Sequence, residues 1–142
     1  MSQIFHKSME LSTNGKGFYE ITKEVESLVK EHCQQKNAIV LISTQHTSAS
    51  LCMQEAYDPS AKEDMQTFLD RLVPDNQAWH KHTLEGPDDT TAHLKSILTG
   101  NHLHLAVQEG RWLKGQWQGI YLCEHRNAAH TRTILLSFVL SS

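Results

Sequence analysis

Two short apolar runs constrain the fold of this 142-residue chain more than any other feature. The first, Ala38 to Ser43, reads AIVLIS, and the second lies within the last segment, Thr131 to Leu140. Apolar runs of this length that are rich in β-branched residues are typical of buried strands. We therefore expect a central strand at 38–43 and a last strand at 131–140 that is buried on both faces for part of its length.

Turn and cap residues divide the rest of the chain into three helices and further strands. Asp58 followed by Pro59 is a strong helix start, because aspartate caps a helix and proline suits its first position, and Gly100 is a helix stop. The predicted helices span residues 22–35 with Thr22 as cap, from Pro59 to the residue before Pro74, and from Asp89 or Thr90 to Thr99. The other predicted strands include residues 5–11, 103–107 and 119–126. The pattern predicts one α+β domain covering residues 1–142.

Charge and cysteine content exclude several classes of protein. Thirteen basic and sixteen acidic residues give a net charge of −3, which offers no broad attraction to nucleic acid or anionic lipid. The chain carries no secretory signal pattern and no apolar run near the ~20 residues that a membrane-spanning helix needs. Three widely spaced cysteines favour a reducing compartment. We expect a cytoplasmic protein with neither nucleic acid nor membrane as partner.

Histidine is the unusual residue, since the chain has ten and no histidine tract. His46 lies in the polar stretch Thr44–Leu51. On an extended strand, Thr44, His46, Ser48 and Ser50 would share one face, where an imidazole and small hydroxyls could bind metal or phosphate. The alternative is an ordinary, half-exposed polar face.

A second group of candidate ligands lies in and after a long loop predicted between residues 75 and 89. It consists of His82, Glu85, Asp88, Asp89 and His93. Asp89 and His93 are four residues apart on the predicted third helix, so their side chains can touch. A carboxylate paired with a histidine orients many metal-bound imidazoles. The two residues could equally form a surface cap pair.

The third group is Cys123-Glu124-His125-Arg126 at the end of a strand. A Cys-x-His pair could supply two zinc ligands, but we interpret Cys123 as a packing residue. His125 beside Arg126 is of more interest, because a metal and a guanidinium together could neutralise a phosphate. The alternative is that Glu124 and Arg126 simply form cross-strand salt bridges.

Three segments together resemble a known family. They are QHTSASL at 45–51, EGPDD at 85–89 leading to His93, and GQWQGIYLCEHR at 115–126. In order and spacing they are similar to the YjbQ-type proteins, often called secondary thiamine-phosphate synthases. The resemblance implies a small α+β fold with a mixed β-sheet or sandwich and three helices, which forms a homotrimer with its pocket near the subunit boundaries. It also implies weak thiamine-phosphate synthase activity and a metal among histidines that match His46, His82, His93 and His125.

The resulting hypothesis is a metal-dependent enzyme that acts on a small phosphorylated compound. We expect His93 and His125, with His46 or His82, to hold a divalent metal, and we include Asp89. Imidazole ligands favour zinc or another transition metal over magnesium. The predicted catalytic residues are His46, His82 and Arg126, and the predicted ligand-binding residues are Ser48 and Ser50. The alternatives are a metal-dependent phosphate-ester hydrolase and a non-catalytic trimeric metal- or ligand-binding protein.

Overall fold

The computed structural model describes residues 3–142, which form eight strands and three helices. In chain order the elements are β1 (Gln3–Asn14), β2 (Gly17–Glu20), α1 (Thr22–Cys33), β3 (Ala38–Thr44), β4 (Ala49–Glu55), α2 (Pro59–Leu72), α3 (Asp89–Thr99), β5 (His102–Gln108), β6 (Arg111–Trp112), β7 (Gln118–Glu124) and β8 (Ala129–Leu140). The single α+β domain with three helices is confirmed, and the segment between α2 and α3 is the long loop that the sequence predicts. Within residues 3–142, the helices lack the length and apolar character needed to span a membrane.

The strands form a five-stranded sheet, in the order β1-β8-β3-β5-β6, and a three-stranded sheet, in the order β2-β7-β4. Every strand pairing in the described chain is antiparallel. The expectation of a mixed sheet is therefore wrong. A parallel pair needs a crossover between two strands of one sheet, whereas each connection that contains a helix leads here from the three-stranded to the five-stranded sheet.

The main core lies between the two sheets and α1. Val40 and Ile42 of β3, Leu122 of β7 and Val25 and Val29 of α1 are all fully buried or nearly so. β3 is central, as predicted, since it lies between β8 and β5.

The other side of the five-stranded sheet carries exposed apolar side chains. Along β3, Ile39 and Leu41 are 54% and 46% exposed, and β8 alternates between buried and half-buried residues. The prediction that β8 is buried on both faces is wrong, because Leu135 and Val139 lie on this open side. We call the side chains of Ile4, Ile39, Leu41, Leu135 and Val139, which the register of β1, β8 and β3 places together, the outer apolar face.

Two helix boundaries follow the sequence and one cap does not. Asp58 Oδ1 accepts a hydrogen bond from Ser60 N at 2.9 Å and so caps α2, and Gly100 ends α3 with a φ of 98°. Thr22 is not a cap, because it is the first residue of α1 and its hydroxyl accepts a hydrogen bond from Ile120 N. The predicted end at Gln35 is two residues late, since Gln34 already has a φ of 52°.

α2 is attached to the rest of the domain by few groups. Leu69 is its one buried residue among those described, and it packs with Phe18, Tyr121 and Cys123 in a second, smaller core. Asp70 Oδ1 accepts a hydrogen bond from Nζ of Lys95, a residue of α3 that is 1% exposed, at 2.5 Å. These contacts join α2 to the three-stranded sheet and to α3.

The polar stretch Thr44–Leu51 is not a continuous strand. Residues 45–48 leave the five-stranded sheet after β3, and the chain enters the three-stranded sheet at β4. Thr44 Oγ1 accepts a hydrogen bond from His46 N at 3.2 Å, which bends the chain at this point. The expectation that Thr44, His46, Ser48 and Ser50 share one face is therefore wrong, and each of these side chains has different surroundings.

Candidate metal and ligand site

Three of the predicted ligands lie together at the start of α3. His82 Nε2 and His93 Nε2 are each 3.3 Å from Asp89 Oδ1, and the three ligand atoms all lie within 4.8 Å of one another. Asp89 is buried, His93 is half-buried and His82 is exposed. The predicted contact between Asp89 and His93 across one helical turn is confirmed.

Hydrogen bonds orient the His93 ring so that an electron pair faces Asp89. Nδ1 of His93 lies 2.8 Å from the carbonyl oxygen of Thr47, which can only accept, so Nδ1 carries the proton. In a neutral ring Nε2 then presents its lone pair to Asp89 Oδ1. Within residues 3–142 that oxygen is buried and has no hydrogen-bond partner, whereas Oδ2 accepts a bond from Glu85 N at 3.2 Å. A lone pair that faces a carboxylate oxygen at this distance becomes a favourable contact when a proton or a metal ion lies between the two atoms.

The distances from Asp89 Oδ1 to the two imidazole nitrogens fit a metal ion of the size of zinc. Oxygen and nitrogen ligands bound to zinc at about 2.1 Å in a tetrahedron lie about 3.4 Å apart, close to the 3.3 Å separations of the two imidazoles from Asp89 Oδ1. A proton on His93 could also fill the gap and form an ion pair. The residues present therefore fit a transition-metal ion, and a metal-binding measurement distinguishes a metal ion from a proton at this position.

His125 is buried outside this cluster, and its hydrogen bonds define its tautomer. Thr99 Oγ1 donates to Lys95 O, so Ser50 Oγ donates to Thr99 Oγ1, and Nε2 of His125 donates to Ser50 Oγ at 2.8 Å. Nδ1 is then the unprotonated nitrogen. Burial, helped by the positive charge of Lys95, lowers the pKa of His125 from 6.5 to about 4, which keeps the ring neutral at pH 7.

Glu124, which precedes His125, is the most fully paired charge near the site. Its carboxylate accepts hydrogen bonds from Arg132 at 2.5 and 2.7 Å, from Thr13 Oγ1 at 2.5 Å, and from the backbone N–H groups of His125 and Arg126. Burial alone would raise the pKa of Glu124, but these hydrogen bonds outweigh it and the pKa lies below its ordinary value. Arg132 also donates to Ser48 Oγ at 3.0 Å.

Arg126 holds the loop before α3. Its guanidinium donates to both carboxylate oxygens of Asp88, to the Glu85 backbone oxygen and to the Glu85 carboxylate, at 2.8–3.3 Å. Four of its five N–H groups are thus engaged within the protein. The alternative that Glu124 and Arg126 form salt bridges to other segments is confirmed for Glu124, which pairs with Arg132 on β8, whereas the partners of Arg126 lie in a loop rather than a strand.

His46 and His93 line one open cavity of about 600 Å³, together with Thr47, Ser96 and Asn101 among others. Nε2 of His46 accepts a hydrogen bond from Thr133 N at 2.9 Å, so in the neutral ring Nδ1 carries the proton. Burial and the charge of Arg132 lower the pKa of His46. As placed, His46 offers a hydrogen-bond donor rather than a lone pair.

The structure thus brings His82, Asp89 and His93 together, with His46 beside the same cavity, and places the other predicted residues in supporting positions. Ser50 is fully buried and bonded to Thr99 and His125, and Ser48 accepts from Arg132. The described residues that line the cavity include neither serine.

Sequence reasoning missed three groups: the Thr47 carbonyl, Lys95 and the Glu124–Arg132 pair. The first is a backbone atom, and the others are charged residues whose burial no local pattern reveals. The sequence marks such buried charges only by a charged residue next to an apolar run. Arg132, for example, stands immediately before TILLSFVL.

Comparisons with known proteins agree on one group of relatives. A family model described as "UPF0047 protein YjbQ-like" matches residues 7–141. The chain is 38% identical over 131 residues to UPF0047 protein YjbQ of Escherichia coli O157:H7, covering 92% of this chain and 94% of that protein. It is 34% identical over 134 residues to UPF0047 protein YugU of Bacillus subtilis, covering 94% and 98%.

Solved structures show the same fold. A YbjQ-like protein of unknown function from Sulfolobus solfataricus superposes with a TM-score of 0.88 at 26% identity, covering 98% of this chain and 99% of that one. A conserved hypothetical protein from Thermus thermophilus superposes with a TM-score of 0.81 at 33% identity, covering 92% and 97%.

The lowered pKa of His125 predicts a pH dependence of stability in chelator-treated protein. Above pH 6.5 the ring is neutral in both the folded and the unfolded chain. Between pH 6.5 and about 4 the unfolded chain takes up a proton that the folded chain does not. The free energy of unfolding should therefore decrease as the pH is lowered from 6.5 to about 4, by about 3 kcal/mol in all.

Urea denaturation of wild type and His125→Gln at several pH values measures this effect. The glutamine variant should lack this part of the pH dependence, whereas His104→Gln, at an exposed position on β5, should retain it. Equal pH dependence in wild type and His125→Gln would show that the pKa of His125 is not lowered in the folded protein.

Proposed function

The chain belongs to the UPF0047 YjbQ-like family, and we propose that it is a metal-dependent enzyme acting on a small phosphorylated compound. The observation that carries the proposal is the buried Asp89 Oδ1, which has no hydrogen-bond partner among residues 3–142 and faces the imidazoles of His82 and His93. A buried carboxylate oxygen without a partner is costly, and a bound cation would remove that cost.

The ligand chemistry favours zinc or another transition metal. Two imidazoles and one carboxylate suit such an ion, whereas magnesium prefers oxygen ligands and retains several waters. His82 is exposed, so the cluster lies at the protein surface, where a further coordination position can open to solvent or substrate. A divalent ion there would supply a Lewis acid that stabilises negative charge on a phosphoryl oxygen.

The protein groups around the cluster have separable roles in this proposal. His93 is oriented by the Thr47 carbonyl, and His46 offers a donor N–H at the same cavity for a phosphate or leaving-group oxygen. Neutral His125 keeps a free lone pair for a proton or a metal. Arg126, with four N–H groups engaged, positions the loop that carries His82; direct contact with substrate would require the loop to release it.

The reaction that the family resemblance suggests joins a pyrimidine diphosphate to a thiazole phosphate and releases diphosphate. The imidazole-rich ligand set supports a second candidate, hydrolysis of a phosphate ester, because zinc activates bound water near neutral pH. Both reactions place negative charge beside the cluster.

Metal affinity should depend on Asp89 and His93. Titration of zinc into tag-free, chelator-treated protein should show one site per chain, and Asp89→Asn or His93→Ala should weaken binding by at least about tenfold. His104→Gln is the matched control, because His104 is an exposed histidine outside the cluster. If wild type shows no one-to-one zinc site, a proton rather than a metal lies between Asp89 and the imidazoles, and the metal proposal is wrong.

Activity should require the metal and the same side chains. Diphosphate release from the two synthase substrates, and hydrolysis of an aryl phosphate ester, should be measured with metal and with chelator. We expect His93→Ala and His125→Ala to lower turnover by at least about 100-fold while circular dichroism shows an intact fold. Equal turnover with chelator would contradict a metal-dependent enzyme. Metal binding without either activity would support a non-catalytic binding protein.

We also propose that the compartment is the cytoplasm, since all three cysteines are free thiols.

A further proposal is that three chains assemble through the outer apolar face. Ile4, Ile39 and Leu41 are 65%, 54% and 46% exposed in one chain. Contiguous exposed apolar residues on a central strand are unusual for a monomer and typical of an association surface.

A charge on this face should prevent assembly. Sedimentation equilibrium should give three times the 16.2 kDa chain mass for wild type and a monomer mass for Leu41→Glu, because burying a carboxylate on an apolar interface is costly. Leu72→Glu, at a position on α2 that is 54% exposed, should remain trimeric. A monomeric wild type would contradict the proposal.

A further inference from the structure

Cys52 and Cys123 lie on the neighbouring strands β4 and β7 with their sulfur atoms 3.6 Å apart. Both are free thiols. In the register of the two strands Cys123 is opposite Ser50 and Cys52 is opposite Tyr121, so the two cysteines form a diagonal pair. We propose that this pair is a modification site at which a hydroperoxide oxidises the two thiols to a disulfide within one chain.

The two sulfurs differ in access. Cys52 is partly exposed at the rim of the smaller core, whereas Cys123 is fully buried within it beside Phe18 and Leu69. An oxidant therefore reaches Cys52 first, and Cys123 is in place to react with the product. The Cys123 thiol donates a hydrogen bond to the Cys52 sulfur, and this bond lowers the pKa of Cys52 against the effect of burial. It thus favours the thiolate, the reactive form.

The reaction balances with the hydroperoxide as the only oxidant. The Cys52 sulfur attacks the outer peroxide oxygen, the O–O bond breaks, and an alcohol leaves with a proton, which gives a sulfenic acid at Cys52. The Cys123 sulfur then attacks the Cys52 sulfur; the S–S bond forms, the S–O bond breaks, and water leaves with the Cys123 proton. Two thiols are oxidised to one disulfide, and one hydroperoxide is reduced to an alcohol and water.

The step requires a small local movement. A disulfide has sulfur atoms about 2.05 Å apart, so the sulfurs must approach by about 1.5 Å from their separation of 3.6 Å. The bond would link β4 to β7 beside Ser50, which lies opposite Cys123 and bonds the His125 ring. Oxidation would therefore alter the support of His125. The proposal does not depend on the proposed enzymatic function.

Cys33 supplies the internal comparison. It is fully buried on α1 and belongs to the main core, whereas Cys52 and Cys123 belong to the smaller one. A Cys33→Ser variant keeps the pair, and Cys52→Ser and Cys123→Ser each remove one member.

The test treats folded, full-length protein with hydrogen peroxide, blocks the remaining thiols and maps disulfides by mass spectrometry. We expect wild type and Cys33→Ser to lose two hydrogens per chain and to yield one cross-linked peptide pair, 52 to 123, that dithiothreitol reverses. Cys52→Ser and Cys123→Ser should yield no such pair. No reaction, sulfinic acid at Cys52 without a cross-link, a bond to Cys33, or a bond between two chains would each overturn the proposal.

A second measurement keeps the test decisive if a serine variant fails to fold. In urea, wild type should form a mixture of the three possible pairings, because the unfolded chain no longer holds two sulfurs together. The native protein should form the 52–123 bond at least about tenfold faster than the unfolded chain does. A native rate equal to or below the rate in urea would also overturn the proposal.

Discussion

The buried ion pair between Glu124 and Arg132 is the constraint on which the rest of the site depends. Glu124 is fully buried, and its carboxylate is bonded to Arg132, to Thr13 and to two backbone N–H groups. Breaking such a pair by removing one partner costs about 3–5 kcal/mol, because the remaining charge stays buried. The pair therefore ties the end of β7 to β1 and β8, and the backbone bonds set the direction in which the chain leaves β7.

Because the chain leaves β7 in that direction, the residues after Glu124 contact segments that are distant in sequence. His125 turns to Ser50 on β4, and Arg126 reaches across to Asp88 and Glu85 in the loop before α3. That loop ends in α3, whose first turn carries Asp89. Two of the three proposed metal ligands, Asp89 and His93, are held by hydrogen bonds to backbone groups, an arrangement that limits the reorganisation needed on binding.

The sequence predicted the features that depend on local pattern. The three helices, the cap at Asp58 and the contact between Asp89 and His93 follow from spacings of one to four residues, and these are confirmed. The shared face of Thr44 to Ser50 was wrong, because a change of sheet at residues 45–48 breaks the alternation while the composition still suits a strand. The mixed sheet that the resemblance implied was wrong, and spacing along the chain could not correct it, because strand direction depends on which strands pair. The hydrogen-bonding directions that separate His46 from His93 depend on Thr133 and Thr47, which are distant in sequence or act through the backbone.

The light attachment of α2 has a consequence for the stability of the domain as a whole. With Leu69 as its one buried residue among those described and the Lys95–Asp70 pair as its polar link, α2 has little to hold it against local unfolding. Its amide hydrogens should exchange with solvent through openings that leave both sheets intact. Each opening would uncover the small core that Leu69 shares with Cys123. The rate at which small molecules reach that sulfur would then be governed by fluctuations of one helix, not by the static surface.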